Sequence, residues 1–246
     1  MRIEFLGNTG LKVSRLCIGT DYADVYGGSS LGNDILLKGF SLGINFWDSS
    51  ESYGSYPAIR DALKILNRSD IVITSKTYSK DEDGAKKDLE DALHETETDY
   101  LDIFMLHAVD TPEDFKIRRD VLEFLLESKR KGIIKAVGVS THSADLALAL
   151  AEVPEVEVVL TVLNMDGLNI RRGGLQLMHS AVKRLHEAGK GVYLMKVLAR
   201  GKLADKAEEA LRYVFKIPYV HALSVGIKSL KELETAVKVE REVNKI

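Results

Sequence analysis

Residues 71–107 read IVITSKTYSKDEDGAKKDLEDALHETETDYLDIFMLH, and they contain one full copy of the pattern from which the fold is predicted. Two short apolar runs, 71–76 and 102–107, flank a longer segment, 83–98, that is rich in charged residues. Apolar residues within that segment recur at helical spacing, namely Ala85, Leu89, Ala92 and Leu93. Near-continuous apolar runs are typical of strands buried on both faces, as in a parallel sheet. The stretch therefore predicts two parallel strands joined by an amphipathic helix.

The same alternation of apolar runs and amphipathic segments recurs along the chain. Eight runs are predicted as strands, over residues 15–19, 44–48, 71–76, 102–107, 134–140, 158–164, 191–197 and 222–227. Eight strand–helix alternations in 246 residues favour an α/β fold of the (β/α)8 TIM barrel type over an open doubly wound sheet. Because no Pro-rich, Gly/Ser-rich or low-complexity tract divides the chain, we predict a single barrel domain over residues 1–246.

Residues typical of helix ends mark two of the predicted helices. Thr111 followed by Pro112 is typical of a helix start, because the threonine can cap free backbone N–H groups and proline suits the first turn. A run of Lys and Arg before Gly132 is typical of a helix end. One helix is therefore expected between these points. A further helix over 175–188 is expected to stop at Gly189.

The residues ahead of the first barrel strand have a different pattern. Two short extended runs within residues 3–13 flank a turn that contains Asn8 and Gly10. This arrangement is typical of a β-hairpin. We expect an N-terminal hairpin that closes the floor of the barrel.

Composition narrows the possible classes of function. The formal net charge is −3, so the basic face with which nucleic-acid binders neutralise phosphates is not expected. A single cysteine, Cys17, allows neither an internal disulfide nor a cysteine metal cluster, and we expect no metal site. No apolar stretch has the length of a membrane span, and the first residues lack the apolar core of a signal peptide. We therefore expect a cytoplasmic monomer that acts on a small molecule, with neither nucleic acid nor membrane as a partner.

Four polar side chains fall at or just after the ends of three successive strands: Asp48, Tyr53, Lys76 and His107. Because the carboxyl ends of barrel strands share one mouth, these side chains are expected to lie close together. An ammonium such as Lys76 would lower the pKa of the Tyr53 hydroxyl and make it a better acid. Asp48 would hold Lys76 in place, and His107 would donate a hydrogen bond to a carbonyl oxygen. Taken alone, Asp48 and Lys76 could equally form an ion pair with a purely structural role.

The segments that carry these four residues resemble the aldo-keto reductase family. The segments are GINFWDSSESYG (43–54), ITSK (73–76) and DYLDIFMLH (99–107). Residues 6–16, 137–140 and 197–201 are similar to further family segments, so the resemblance covers nearly the whole chain in order. It implies NAD(P)H-dependent reduction of an aldehyde or ketone. The reduced nicotinamide would give hydride to the carbonyl carbon, and Tyr53 would give a proton to its oxygen.

The resemblance also implies a set of cofactor contacts. They fall at Gly19, Thr20, Ser140, Thr141, Met195, Lys196, Leu198, Lys228, Ser229 and Glu232. The family favours NADP(H), with NAD(H) possible, and lays the cofactor across the barrel mouth without a Rossmann domain. The chain carries no strand-to-helix Gly-x-Gly-x-x-Gly fingerprint, which agrees with this. The start of the last helix would offer free backbone N–H groups to an anion, with Lys228 adding positive charge.

Three departures from the family pattern concern the nicotinamide end of the cofactor. Met195 stands where many members have a tyrosine that stacks on the nicotinamide, and methionine is not an aromatic platform. The usual asparagine after Ser140 is missing, so either Thr141 or His142 could contact the carboxamide. Leu160 or Thr161 stands in place of the usual glutamine.

The fourth departure concerns the adenosine end. Glu232 stands where an arginine often grips the 2′-phosphate of NADP, and a carboxylate there would repel a phosphate. This weakens the NADP assignment and leaves NAD open. Ser229 and Glu232 also fit a capping box, which is a purely local role. Little sequence follows the last helix, so an open substrate pocket is expected.

Two alternative functions stay open at this point. The first is a nicotinamide-nucleotide-binding, redox-sensing module with little turnover, which the missing aromatic at Met195 permits. The second is a class I aldolase that forms a Schiff base at Lys196. The intact pair of Tyr53 and Lys76 argues for the reductase instead.

Overall fold

A computed structural model describes residues 1–21 and 32–245. Two short strands, β1 (Ile3–Phe5) and β2 (Lys12–Ser14), precede the barrel strands. The barrel strands are β3 (Leu16–Gly19), β4 (Phe46–Asp48), β5 (Val72–Thr77), β6 (Leu101–Leu106), β7 (Ile134–Thr141), β8 (Val158–Val162), β9 (Gly191–Met195) and β10 (Ala222–Gly226). They pair in parallel and in chain order, and β10 closes the barrel on β3 with Ser224 opposite Cys17. The predicted (β/α)8 TIM barrel is confirmed, with each strand within two residues of its predicted bounds.

Helices lie between the barrel strands and cover their outer faces. They are α1 (Asp34–Ser41), α2 (Tyr56–Leu63), α3 (Glu82–Thr96), α4 (Pro112–Ile117), α5 (Arg119–Arg130), α6 (Ala144–Ala149), α7 (Gly174–Glu187), α8 (Ala207–Phe215) and α9 (Leu230–Asn244). In α3 the predicted stripe is buried against the barrel, apart from the half-buried Leu93. Within the part of the chain described here, no helix is both long and apolar enough to cross a membrane.

The helix predicted from Thr111 to Gly132 is two helices, which corrects the sequence prediction. Thr111 caps α4 as expected, accepting a hydrogen bond from the Asp114 N–H at 3.0 Å. The chain then breaks at Arg118, whose side chain is buried. Its guanidinium donates to the His107 carbonyl oxygen at 2.8 Å and pairs with Asp114. The contact with the His107 carbonyl oxygen joins the break between the two helices to the segment that follows β6.

The N-terminal hairpin lies where the sequence predicts, across the lower end of the barrel. β1 and β2 pair antiparallel, with Glu4 opposite Val13. Leu6 and Val13 are fully buried and pack on the apolar residues that fill the barrel, Cys17 among them. The Asn8 N–H donates to the Gly189 carbonyl oxygen at 2.9 Å, just before β9 begins. The hairpin therefore seals the end opposite the strand carboxyl ends.

The single-domain prediction for residues 1–246 includes residues 22–31 and 246, which lie outside the described part of the chain, and it stays a prediction.

The contact of the hairpin with β9 predicts that alanine substitutions at two glycines of the hairpin differ in their effect on stability. Gly7 has φ +54°, and a Cβ there would lie 2.3 Å from the Gly191 backbone nitrogen. Gly10 has φ +78°, but a Cβ there would meet no atom within 4 Å. We expect Gly7→Ala to lower the free energy of unfolding by about 3 kcal/mol, because strain and a backbone clash add. Gly10→Ala should cost about 1 kcal/mol from backbone strain alone. Urea denaturation measures both, and equal losses would contradict this packing.

Candidate active site

A cavity of about 410 Å³ opens at the carboxyl ends of the barrel strands. Asp48 ends β4, Tyr53 lies in the loop that follows, and His107 comes directly after β6. These three side chains line the cavity, and Lys76, near the end of β5, is fully buried beside them. The structure therefore brings the four predicted residues together, as expected from strands that end at one mouth.

Asp48 and Lys76 form a buried ion pair, with Nζ 3.0 Å from a carboxylate oxygen. Nζ also donates to the Ser49 carbonyl oxygen at 2.6 Å. The Tyr193 hydroxyl donates to the Asp48 carboxylate at 2.7 Å, and the Ser224 hydroxyl donates to its second oxygen at 3.4 Å. Both charges are thus held by fixed partners, which is the condition under which a buried ion pair is tolerated.

The Tyr53 ring lies next to the Lys76 ammonium. The distance from Lys76 Nζ to the ring centroid is 4.6 Å. Burial raises the pKa of the Tyr53 hydroxyl well above its ordinary value, and the Asp48 carboxylate adds to the effect. The sequence predicted a lowered pKa for Tyr53, and the structure gives the opposite direction, mainly because the hydroxyl is buried. A raised pKa keeps the phenol protonated at neutral pH.

His107 is neutral near neutral pH. Burial is the main cause that lowers its pKa to about 4, although Glu51 opposes the shift. Its Nδ1 lies 2.9 Å from the Ser50 hydroxyl oxygen. The Tyr78 ring stacks on the imidazole with centroids 3.9 Å apart, and its hydroxyl lies 3.2 Å from Nε2. The imidazole is thus held at both nitrogens.

The predicted cofactor contacts divide into two groups. Those that line the cavity are Gly19, Met195, Lys196, Leu198, Lys228 and Glu232. The other four predicted contacts are described by the structure but do not line this cavity; they are Thr20, Ser140, Thr141 and Ser229. The Thr20 hydroxyl donates to the Asp48 carbonyl oxygen, and the Ser140 hydroxyl accepts from the Ala108 N–H. Ser229 caps α9 by accepting from the Glu232 N–H, which is the serine half of the predicted capping box. The Glu232 carboxylate accepts from the Lys228 N–H instead of the Ser229 N–H.

His142, rather than Thr141, faces the cavity after β7. Thr141 is fully buried, and its hydroxyl donates to Asp110 at 3.3 Å. The His142 Nε2 lies 2.5 Å from Lys196 Nζ, and its backbone N–H donates to Asp110 at 2.6 Å. Burial is the main cause that lowers the pKa of Lys196. Of the two residues that the sequence offered as carboxamide contacts, His142 is the one that lines the cavity, and the contact itself stays a prediction.

Several residues of the site were missed by sequence reasoning. Tyr193 is the polar residue in an otherwise apolar strand run, and that irregularity was the available signal. Ser50 and Glu51 lie inside the family-like segment but carried no signal of their own. Tyr78 follows β5 by one residue, and only the fold shows that it reaches His107.

The ion pair predicts a measurable coupling between Asp48 and Lys76. Lys76→Met should lower the free energy of unfolding by about 3–5 kcal/mol, because it leaves a buried carboxylate without its cation. The double variant Asp48→Asn/Lys76→Met should lose less than the sum of the two single losses. Urea denaturation of the wild type, Asp48→Asn, Lys76→Met and the double variant measures the four free energies of unfolding that make up this double-mutant cycle. Additive losses would mean that the pair contributes no coupling energy.

Comparison with known proteins tests the resemblance directly. The sequence model of the Aldo/keto reductase family matches residues 16–209. The chain is 26% identical over 255 residues to L-galactose dehydrogenase from Arabidopsis thaliana, covering 94% of this chain and 78% of that protein. It is 24% identical over 179 residues to methylglyoxal reductase DkgA from Escherichia coli (strain K12), covering 70% of this chain and 64% of that protein.

Solved structures show the same fold. The crystal structure of PA4992 from Pseudomonas aeruginosa superposes with a TM-score of 0.82 at 24% identity, covering 98% of this chain and 96% of that one. The holo form of aldo-keto reductase AKR11C1 from Bacillus halodurans gives 0.78 at 20% identity, covering 100% and 96%. The family match extends over most of the barrel and includes all four residues at its mouth. This chain is therefore a member of the aldo/keto reductase family.

Proposed function

We propose that this protein is an NAD(P)H-dependent oxidoreductase that reduces aldehydes or ketones to alcohols, with Tyr53 as the proton donor. The observation that carries the proposal is the placement of a protonated phenol beside a buried ammonium, Lys76, at the wall of one cavity. The family and the names of its relatives, a sugar dehydrogenase and a methylglyoxal reductase, support chemistry at a carbonyl or its alcohol.

A bound reduced nicotinamide supplies hydride to the carbonyl carbon. This chain supplies the proton for the carbonyl oxygen. The O–H bond of Tyr53 breaks, and a new O–H bond forms on the product. The phenolate left on Tyr53 lies beside the Lys76 ammonium, which stabilises it. Asp48 keeps that ammonium in place. A proton from solvent restores the phenol before the next turnover.

The cavity fits a long, anionic cofactor. Its walls run from Tyr53 and His107 to Lys228 and Glu232 at the start of the last helix. Met195 also lines the cavity and can pack on a ring through its polarizable sulfur. Lys196 also lines the cavity and offers positive charge to a diphosphate. We therefore assign the nicotinamide to the Tyr53 end and the adenosine to the Glu232 end.

At the adenosine end, Glu232 favours NAD(H) over NADP(H). Family resemblance alone favours NADP(H), but the Glu232 carboxylate lines the cavity and accepts the Lys228 backbone N–H at 2.7 Å. A 2′-phosphate near this carboxylate would meet like charge, and one backbone donor suited to an anion is already engaged. A ribose hydroxyl could instead donate to the carboxylate.

Tyr53→Phe tests the proton donor. It should lower kcat for aldehydes at least a hundredfold, because general acid catalysis typically contributes that much, and leave the cofactor Kd unchanged. NADH and NADPH oxidation with a panel of aldehydes and ketones measures turnover, and fluorescence titration measures cofactor binding. Tyr213→Phe is the matched control, since that hydroxyl contacts His179 on the outside of the barrel.

Wild-type rates in Tyr53→Phe would overturn the acid assignment. Tight cofactor binding by the wild type without turnover on the whole panel would favour the alternative, a redox-sensing module. That alternative draws support from Met195, which gives the cavity no aromatic platform.

Glu232→Arg tests the cofactor preference. It should change the ratio of the NADH and NADPH dissociation constants by about tenfold to a hundredfold in favour of NADPH binding. The reason is that a charge-assisted hydrogen bond from the arginine to the 2′-phosphate replaces the repulsion between that phosphate and the carboxylate. Glu232→Gln removes the charge but keeps an acceptor for the Lys228 N–H, so it should give a smaller shift in the same direction. An unchanged ratio in both variants would place the 2′-phosphate elsewhere.

A further inference from the structure

Tyr193 is a buried tyrosine of β9 that does not line the cavity and has no role in the reaction described above. Its ring packs inside the barrel on Phe46, with centroids 5.0 Å apart. Its hydroxyl lies 3.7 Å from Met105 Sδ and donates to the Asp48 carboxylate at 2.7 Å. A phenylalanine would fill nearly the same space, so packing alone does not account for the hydroxyl.

The Tyr193 hydroxyl and the Lys76 ammonium bind the same oxygen of Asp48. Oδ1 lies 2.7 Å from the hydroxyl oxygen and 3.0 Å from Lys76 Nζ. The second oxygen, Oδ2, has the Ser224 hydroxyl at 3.4 Å, which is a longer and weaker contact. Because a hydrogen-bond donor stabilises the negative charge of a carboxylate, Tyr193 reduces the share of that charge that acts on Lys76.

Lys76 lies between this carboxylate and the Tyr53 ring, with Nζ 4.6 Å from the ring centroid. A phenolate on Tyr53 therefore meets the net field of the ion pair, since the ammonium stabilises it and Asp48 opposes it. Asp48 is second only to burial among the causes that raise the pKa of Tyr53. The other titratable groups that face Tyr53 are Asp21, Glu51, Tyr78 and His107.

We propose that Tyr193 is a positioning residue that acts on the proton donor through Asp48: its hydrogen bond takes up part of the carboxylate charge and leaves more of the Lys76 field to stabilise the Tyr53 phenolate. The inference rests on the proposed carbonyl reduction, in which Tyr53 gives up its proton. It explains how an ammonium that is already paired with a carboxylate still assists a neighbouring phenolate.

The acidity of residue 53 can be measured without any turnover. A trifluorotyrosine is incorporated at position 53, because its fluorine atoms lower the ordinary pKa of the phenol and bring its titration toward neutral pH. Fluorine NMR against pH then reports the ionisation of this one group. We expect its pKa to be about 0.5–1 unit higher in the Tyr193→Phe background, because part of the energy of a hydrogen bond to a charged group is lost.

Two further backgrounds make this titration specific. Ser224→Ala removes the longer contact with Oδ2 and should raise the pKa by a smaller amount. Tyr213→Phe removes a hydroxyl outside the barrel, so it is the matched control and should leave the pKa unchanged. Tyr193→Phe keeps the ring that packs on Phe46, so the barrel interior stays filled. An unchanged or lower pKa in Tyr193→Phe would overturn the proposal.

Turnover tests whether this acidity matters for the reaction. With the natural Tyr53 in place, Tyr193→Phe should lower kcat for aldehydes about twofold to fivefold and leave KM and the cofactor Kd unchanged, because a weaker acid slows proton transfer without changing binding. A wild-type kcat in Tyr193→Phe would overturn the role in the reaction. Absence of turnover by the wild type on the whole panel would overturn the proposed function and this role together, while the fluorine titration would still decide whether Tyr193 acts on residue 53.

Discussion

The buried ion pair of Asp48 and Lys76 is the constraint on which the mouth of this barrel depends. Removing two charges from water costs several kcal/mol each, and their attraction offsets this only when every other hydrogen-bonding position is also filled. Here the closed barrel provides further partners for the carboxylate: β4 and β5 provide the charges, β9 provides the Tyr193 hydroxyl and β10 provides Ser224. Strands distant in sequence are thus tied to one carboxylate, and the site exists only when the barrel is closed.

The same burial determines the protonation of the neighbouring groups. With the charge of Lys76 balanced by Asp48, desolvation dominates around the pair, and it disfavours the charged form of any group that titrates there. It raises the pKa of Tyr53 and lowers the pKa of His107, so that both side chains are neutral near pH 7. The result is a phenol that keeps its proton and an imidazole that keeps a lone pair, beside a compensated ion pair.

Sequence patterns predicted what depends on periodicity, and missed what depends on side-chain direction. Apolar runs gave all eight barrel strands, and the rule that strand ends share one mouth brought Asp48, Tyr53, Lys76 and His107 together. The break at Arg118 was missed because the capping residues around it are ordinary, and only the tertiary contact with the His107 carbonyl oxygen explains it. The direction of the Tyr53 pKa shift was predicted wrongly because spacing along the sequence does not show that the hydroxyl is buried, and burial is the main cause that raises this pKa.

The start of α9 shows how one side chain can have both a local and a functional role. The sequence offered capping and cofactor discrimination as two interpretations of Glu232, but the geometry makes them one. Its backbone N–H donates to Ser229, which fixes the first turn, and its carboxylate accepts from the Lys228 N–H, which holds the charge at the cavity wall. A helix start normally attracts anions because its N–H groups are unpaired and its dipole is positive. The Glu232 carboxylate places a negative charge at this helix start and also engages the Lys228 N–H just ahead of the cap. The region is therefore less favourable for a phosphate.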